Sequence, residues 1–389
     1  MRHIAILVVA LFAAVTAGHA QGSYERILYE VEKNSTTLQA LKQQSEAQKL
    51  ESRTGIYLSN PEVEMKHVWV GGGTTELSVK QAFDFPTAYS YKSGVANARG
   101  KLADLEYEVA RKELLYDVAA VCINLTYQNI QKTELEKRLT HAEAIATATQ
   151  LQFERGETDI LERNKAQLSL LSAKKALEAN EVERAALLSE LARLNGGISL
   201  AYEETVYPAY AIPPDFEQWY RQVHNINPAI QYAAYNVELS KKQEKLNRAV
   251  SYPKLWAGYS SEWSAGAAVH GVSVGISIPL WENKNTVKSV KLQTKALESV
   301  EADKQQQFYN QLKMQHTKAV NLGALVKDYR EMLNTVNSSD LLKKALDNGQ
   351  LSLLAYFIEL GMYYDAVDSL LEAERSYQYA VWELHQWEF

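Results

Sequence analysis

Side chains that could do chemistry are plentiful in this chain, but few stand at spacings that would let them do it. The eight histidines are scattered, and no two sit at the i, i+4 interval that would set two imidazoles on one helix face around a metal ion. Met314 and His316 are two apart, so on a helix they point in different directions. No nucleophile has an evident neighbouring base, and Gly71-Gly72-Gly73 joins two extended runs instead of opening a helix, which makes a poor phosphate cradle. The single cysteine, Cys122, lies in an apolar helical stretch, as a small buried core residue would, and alone it forms no internal disulfide. The chain is therefore not expected to be an enzyme, and no catalytic residue, metal ligand or cofactor is predicted. What remains is charge set out at a period of two. Glu62, Glu64 and Lys66 alternate with Val63, Met65 and His67; Glu76, Lys80 and Asp84 alternate with Leu77, Val79, Gln81, Phe83 and Phe85. Side chains so placed line one wetted wall of an extended ribbon.

The elements that carry this wall occur twice. At one constant offset of roughly 190 residues, Gln39, Glu46, Lys49, Ser59 and Pro61 meet Gln231, Glu238, Lys241, Ser251 and Pro253; one residue later in register, Val79, Phe83, Phe85 and Pro86 meet Val272, Ile276, Ile278 and Pro279. Further on, Gly156, Ala173, Glu181 and Glu190 meet Gly349, Ala366, Glu374 and Glu383. In the second copy Val272, Val274, Ile276 and Ile278 alternate with Gly271, Ser273, Gly275 and Ser277, and Leu255, Ala257 and Tyr259 with Lys254, Gly258 and Ser260. Each half thus holds one β-hairpin, turning at Gly71-Gly72-Gly73 and near Ser264-Ala265-Gly266.

Proline placement divides the rest. All eight prolines fall at 61, 86, 208, 213, 214, 228, 253 and 279, which leaves 87–207 and 280–389 free of the residue that helix interiors tolerate least. Leu102, Leu105, Val109, Leu114, Val118, Cys122 and Leu125 recur at helical spacing, and so do Leu161, Leu168, Leu171, Leu177, Leu187, Leu191 and Leu194. Each helical region is interrupted by an aligned glycine, in Arg155-Gly156-Glu157 and Asn348-Gly349-Gln350, which suits a left-handed cap before the chain turns back. The interval from Pro86 to Arg155 equals that from Pro279 to Asn348, and a continuous helix of that length would run about 100 Å. The expected organisation is a first repeat over 21–200 (hairpin 61–86, long helix 87–155, return helix 157–195), a linker over 196–216, and a second repeat over 217–389 (hairpin 253–279, long helix 280–348, return helix 350–389). Residues 1–20, with Arg2 and His3 before the apolar run Ile4 to Val15 and small residues at Gly18-His19-Ala20, read as a cleaved secretory signal.

The formal charge of −6, with a pI near 5.9 and no basic block, argues against nucleic acid as a partner. No later run is apolar enough for a membrane helix. The strands, at about ten to twelve residues, match tilted strands crossing an outer membrane, apolar side out and polar side in. On that reading the lumen wall is Glu62, Glu64, Lys66, Glu76, Lys80 and Asp84, and Trp69 and Trp263 stand beside the two turns where an aromatic girdle belongs. Four strands cannot close a barrel, and open edges do not persist in lipid, so the chain must oligomerise; three copies would give twelve strands.

Helix, hairpin, very long helix, glycine turn and return helix, all repeated, resemble the TolC family of bacterial outer-membrane efflux proteins over roughly 24–389. The segments that carry the resemblance are Ser59-Asn-Pro-Glu-Val-Glu-Met65, Gln81-Ala-Phe-Asp-Phe-Pro86, Phe153-Glu-Arg-Gly-Glu-Thr-Asp-Ile-Leu161, Asn227-Pro-Ala-Ile230 and Asp347-Asn-Gly-Gln-Leu-Ser-Leu-Leu354. Asn60-Pro61-Glu62 at the start of the first strand and the run Thr74 to Gln81 look most like the branch serving cobalt, zinc, cadmium or copper pumps. The resemblance implies a mainly α fold with a small β part, in which a homotrimer builds a 12-stranded transmembrane β-barrel continued by an α-helical periplasmic barrel. It places the protein in the outer membrane of a Gram-negative bacterium, reaching into the periplasm. Its implied partners are outer-membrane lipid, a periplasmic adaptor and an inner-membrane pump of the RND or ABC type, with small molecules or metal cations as cargo.

The resemblance further implies that the helix tips Arg155, Gly156, Glu157 and Thr158, with Asn348, Gly349, Gln350 and Leu351, dock the adaptor. Some family members close the periplasmic end with aspartates six and nine residues past the turn glycine. Here those positions hold Glu162 and Lys165, and Ala355 and Ile358, which leaves Glu162 and Glu359 as gate candidates. Many members also carry an equatorial segment after the second helical hairpin. With Phe389 near the expected end of the last helix, only 196–216 could take that place. The competing reading is a periplasmic adaptor or coiled-coil scaffold without a channel.

Overall fold

A computed structural model describes residues 22, 24–69, 73–264, 266–335 and 338–388, with the side chains of 338–340 excepted. The signal segment 1–20, Gly71, Gly72 and Ala265 lie outside the described residues.

After a first helix over residues 24–34 (α1), the order is α2 Thr36–Ser52, β1 Glu62–Val68, β2 Thr74–Phe83, α3 Pro86–Glu154, α4 Ile160–Leu194, α5 Phe216–Ile226, α6 Pro228–Ala249, β3 Lys254–Ser264, β4 Ala267–Ser277, α7 Thr286–Thr335, α8 Ser338–Asp347 and α9 Leu353–His385. Pro86 opens α3 at a position where a missing N–H costs nothing, and the helix then runs unbroken for 69 residues. The second copy differs at this point. Helix α7 begins at Thr286 and not at 280, because Leu280 to Asn285 form turns: the Lys284 amide donates to the Trp281 carbonyl at 3.2 Å, the Thr286 amide to Asn283 at 3.2 Å, and Asn285 takes φ 70°. Two asparagines in six residues favour such local turns over helix. The described helix runs to Thr335 and resumes at Ser338.

The chain divides into two compact units. One comprises 39–110 and 223–308. It contains the antiparallel sheet, in the order β1-β2-β3-β4. Strand β1 has only 7 residues, short of the expected ten, whereas β2, β3 and β4 have 10, 11 and 11. Around the sheet the repeat shows in its ion pairs: Lys49 of α2 pairs with Asp104 of α3, and the aligned Lys241 of α6 pairs with Glu298 of α7 at 2.8 Å. Buried beside the second pair, the hydroxyls of Ser240 and Thr294 share a hydrogen bond of 2.7 Å.

The other unit comprises residues up to 38, 111–222 and 309–389. Its core is built from Tyr24, Val31, Val118, Leu125, Leu191, Val381, Trp382 and Leu384, all fully buried or nearly so, with Tyr24 edge-on to Trp382 at 5.4 Å. The stretch from Ser199 to Asp215 has neither helix nor strand, so its backbone polar groups must find partners elsewhere. They find side chains. Asn129 Nδ2 donates to the Glu204 carbonyl at 3.0 Å; His385 Nε2 lies 2.9 Å from the Ala211 carbonyl and His316 Nε2 lies 2.7 Å from that of Pro213. Cys122 is buried here, and burial pushes its thiol well above the ordinary range, so it is unreactive.

Candidate functional site

The sheet register sorts the strand side chains by face. Reading across β1-β2-β3-β4, one face carries the rows Val63–Val79–Tyr259–Val272 and Met65–Leu77–Ser261–His270, then Gln81–Ala257–Val274 and Phe83–Leu255–Ile276 on the inner strands. The opposite face carries Glu62–Lys80–Gly258–Ser273, Glu64–Ser78–Ser260–Gly271 and Lys66–Glu76–Glu262–Val269. Register is fixed by the period-two pattern, because a slip of one residue would turn every apolar side chain to the polar wall. The apolar face is uncovered: Val272 and Val274 are 82% and 79% exposed. Strands β1 and β4 each pair on one side only, which leaves a row of backbone groups open at both edges of the sheet.

Five of the six charges predicted for the polar wall, Glu62, Glu64, Lys66, Glu76 and Lys80, stand together on it. Asp84 does not. It lies one residue beyond the end of β2, and its carboxylate is paired with Lys92 of α3 at 2.7 Å. A lysine two turns into the following helix captures it, which strand periodicity could not anticipate. Two further residues of this face escaped the sequence reading. Glu262 stands directly across from Glu76, and Trp256 interrupts the Gly and Ser series of β3.

Aromatic residues mark both ends of the strands. Beside the turns, Trp69 is exposed and edge-on to His67 at 5.0 Å, and Trp263 lies in the row of Thr75. At the opposite end Phe85 packs edge-on against Tyr252 at 5.5 Å, and Tyr57 and Trp281 are strongly exposed. Tyr57, Tyr252 and Trp281 were missed because they flank the strands in loops, where no period flags them, and Phe85, the last residue of the alternating run, was read only as part of its apolar face.

In the other unit, the two helix tips share one geometry. At the first, the Gly156 amide donates to the Phe153 carbonyl at 3.0 Å and the Glu157 amide to Gln152 at 2.8 Å, with Gly156 at φ 74°. At the second, Gly349 donates to Leu346 and Gln350 to Ala345, both at 2.9 Å, with Gly349 at φ 69°. This is a Schellman closure, which satisfies the last carbonyls of the incoming helix. Each return helix is then capped three residues past its glycine, by Asp159 accepting from the Glu162 amide at 2.8 Å and by Ser352 accepting from Ala355 at 3.2 Å. A Cβ on either glycine would meet nothing within 4 Å, so both tips present open backbone.

The gate candidates differ from each other. The Glu162 carboxylate accepts from the Thr158 hydroxyl at 2.8 Å and so closes the cap of α4, whereas Glu359 is exposed on α9. Behind the tips, Ile145, Ala146, Ala166, Leu353, Tyr356 and Leu360 form a core. Against it lies a groove of about 420 Å³ between α3, α4 and α9, lined by Ile145, Ala173 and Leu360 together with Lys165, His141 and Arg138. Arg138 is held by both Asp368 oxygens, at 2.7 and 2.9 Å, and stacks 4.3 Å over the Tyr364 ring. Lys165, in the position where the family resemblance would put an acid, is exposed at the groove. Among the described residues no group of three His, Cys, Asp or Glu could hold a metal ion, and no helix is long and apolar enough to cross a membrane.

No family model matches this sequence, and no curated protein matches it significantly. Solved structures do. The chain is similar to the channel protein CusC, solved in work on the conformational changes accompanying folding and transmembrane channel formation, with a TM-score of 0.80 at 16% identity over 94% of this chain and 91% of that one. It is similar to the Campylobacter jejuni CmeC outer membrane channel, TM-score 0.74 at 14% identity, over 94% and 85% of the two chains. It is also similar to the outer membrane protein VceC of Vibrio cholerae, TM-score 0.70 at 12% identity, over 95% and 96%. Identities this low speak to fold, and the fold they share with this chain over nearly its whole length is that of the TolC-type outer-membrane channels.

Proposed function

We propose that this protein is the outer-membrane channel of a tripartite efflux system. The observation that carries the reading is the four-stranded sheet with one uncovered apolar face, one charged face and two unpaired edges. A ribbon of this kind is unstable in water through its apolar side and unstable in lipid through its edges, and joining copies edge to edge into a closed barrel removes both costs. Three copies make a barrel of twelve strands with Glu62, Glu64, Lys66, Glu76, Lys80 and Glu262 on the lumen side. From Thr75, in the row of Trp263, to Phe85 is ten residues, about 33 Å along the strand at about 3.3 Å per residue, which a tilt of about 45° brings close to the height of the apolar band of an outer-membrane barrel. The likeness to CusC and to the CmeC outer membrane channel supports the same reading.

In this assembly the tips at Gly156 and Gly349 face a periplasmic adaptor. Their open backbone admits close approach, and the groove behind them offers an adaptor helix apolar side chains with Lys165 among its lining. The adaptor joins the channel to an inner-membrane pump; small organic molecules or metal cations are the cargo. Glu162 is assigned to the helix cap first, and any threefold gate it forms acts through a side chain already bonded to Thr158. Fractionation of expressing cells tests the proposal. An outer-membrane trimer that dissociates on heating in detergent is the expected result, and a soluble monomer overturns it.

A further inference from the structure

One residue on the polar face of the sheet differs in kind from its neighbours. Trp256 stands in the row Ala82–Trp256–Gly275, between the row Glu62–Lys80–Gly258–Ser273 and the pair Lys254–Ser277. A Cβ placed on Gly275 would lie 2.2 Å from Trp256 Cε2, 2.3 Å from Cζ2 and 2.4 Å from Nε1. The indole therefore lies flat across the backbone of β4, and glycine at 275 is what makes room for it. One π face of the ring is spent on Gly275. The other looks away from the sheet, and the residue as a whole is half-buried. Among the described residues no lysine or arginine stacks on it.

Covering a strand glycine with a cross-strand aromatic explains the inner face of the ring. The outer face, the one aromatic surface among the described residues of a wall otherwise made of charged, hydroxyl-bearing and small side chains and the exposed valines Val68 and Val269, is left without a role by packing alone. The same wall carries Glu62, Glu64, Glu76 and Glu262 against Lys66, Lys80 and Lys254, a small excess of carboxylate that favours cations near it. Tryptophan is the aromatic side chain that attracts cations most strongly over its face.

We infer that Trp256 is a contact for organic cations travelling along the polar face of the sheet. It acts as a specificity-determining residue that slows or selects cargo carrying a delocalised or quaternary positive charge. The inference rests on the channel reading above, in which this face lines the lumen and a trimer presents three such indoles. It needs no bound metal and no conformational change, since the ring is already held in place by Gly275.

The test uses the full-length trimer in planar bilayers, with tetraphenylphosphonium as the probe added to each side in turn and potassium chloride carrying the current. Wild type should be blocked, W256A should require about five-fold more probe, equivalent to about 1 kcal/mol at 1.4 kcal/mol per tenfold, and W256F should remain near wild type. W256L, which keeps apolar bulk and discards the π system, should behave like W256A and serves in its place if the smaller side chain prevents assembly. Equal block of wild type and W256A, or wild-type behaviour in W256L, overturns the inference while leaving the channel intact. If neither variant assembles, the indole is a structural wedge and the inference falls. If the wild type forms no channel at all, the channel reading fails first.

Discussion

At Gly156 and Gly349 the backbone turns through φ 74° and 69°, where any Cβ crowds the following carbonyl at a cost of about 1–2 kcal/mol. Neither glycine has a neighbour that a side chain would strike, so substitution strains only the turn and puts a new group on the open tip. Gly156→Val combined with Gly349→Val is therefore expected to leave trimer assembly intact, by detergent electrophoresis, while lowering efflux in whole cells. Unchanged efflux would remove the tips from the docking surface. Residue-scale burial gives a second expectation. Trp382 is 2% exposed, and Trp382→Ala should cost about 3–5 kcal/mol, read as a lower denaturation midpoint.

Among the elements, α3 and α4 are tied along their length by Lys132 and Glu181, and the Lys132 ammonium bonded to Glu181 holds that carboxyl below the ordinary glutamate range. A depressed folded-state pKa contributes stability that is present above the unfolded value of about 4.3 and is lost as pH falls through the folded one. Both side chains are partly exposed, so the pair contributes only about 0.2–1 kcal/mol. Wild type and Glu181→Gln should differ slightly in urea midpoint at pH 7, and the difference should shrink as pH falls below the ordinary glutamate range. The strands make a sharper prediction. Val274 and Ser273 are adjacent in β4 but belong to opposite faces. If the proposed barrel forms, Val274→Lys, on the apolar face, should cost about 2–4 kcal/mol near the bilayer midplane and reduce assembled trimer in membranes, whereas Ser273→Lys should assemble normally. Equal behaviour of the two would reverse the assignment of faces.

For the whole molecule, both hairpins come from one unit of the chain and both helix tips from the other, although the repeats alternate along the sequence. Each compact unit thus draws on both repeats, and neither repeat is a domain by itself. The alternation of strand side chains, the proline-free stretches and the aligned glycines were legible because each is a local rule with a short period or a single-residue signature. Glycine at the end of a helical run, followed three residues later by Asp159 or Ser352, specifies a turn wherever it occurs.

Other features needed neighbours that the sequence does not place. Asp84 belongs to the strand pattern but is captured by Lys92; Trp256 breaks the pattern but fits because Gly275 faces it across a strand pair. The carbonyls of 199–215 are met by His316 and His385 from two different helices. The sequence by itself determined the repeats, the strand faces and the two glycine turns, since these follow from backbone sterics and from the separation of apolar and polar side chains. The tertiary structure alone decided which charges remain on the wall, where the aromatic surface lies and what groove stands behind the tips, because those depend on pairings between residues far apart in the chain.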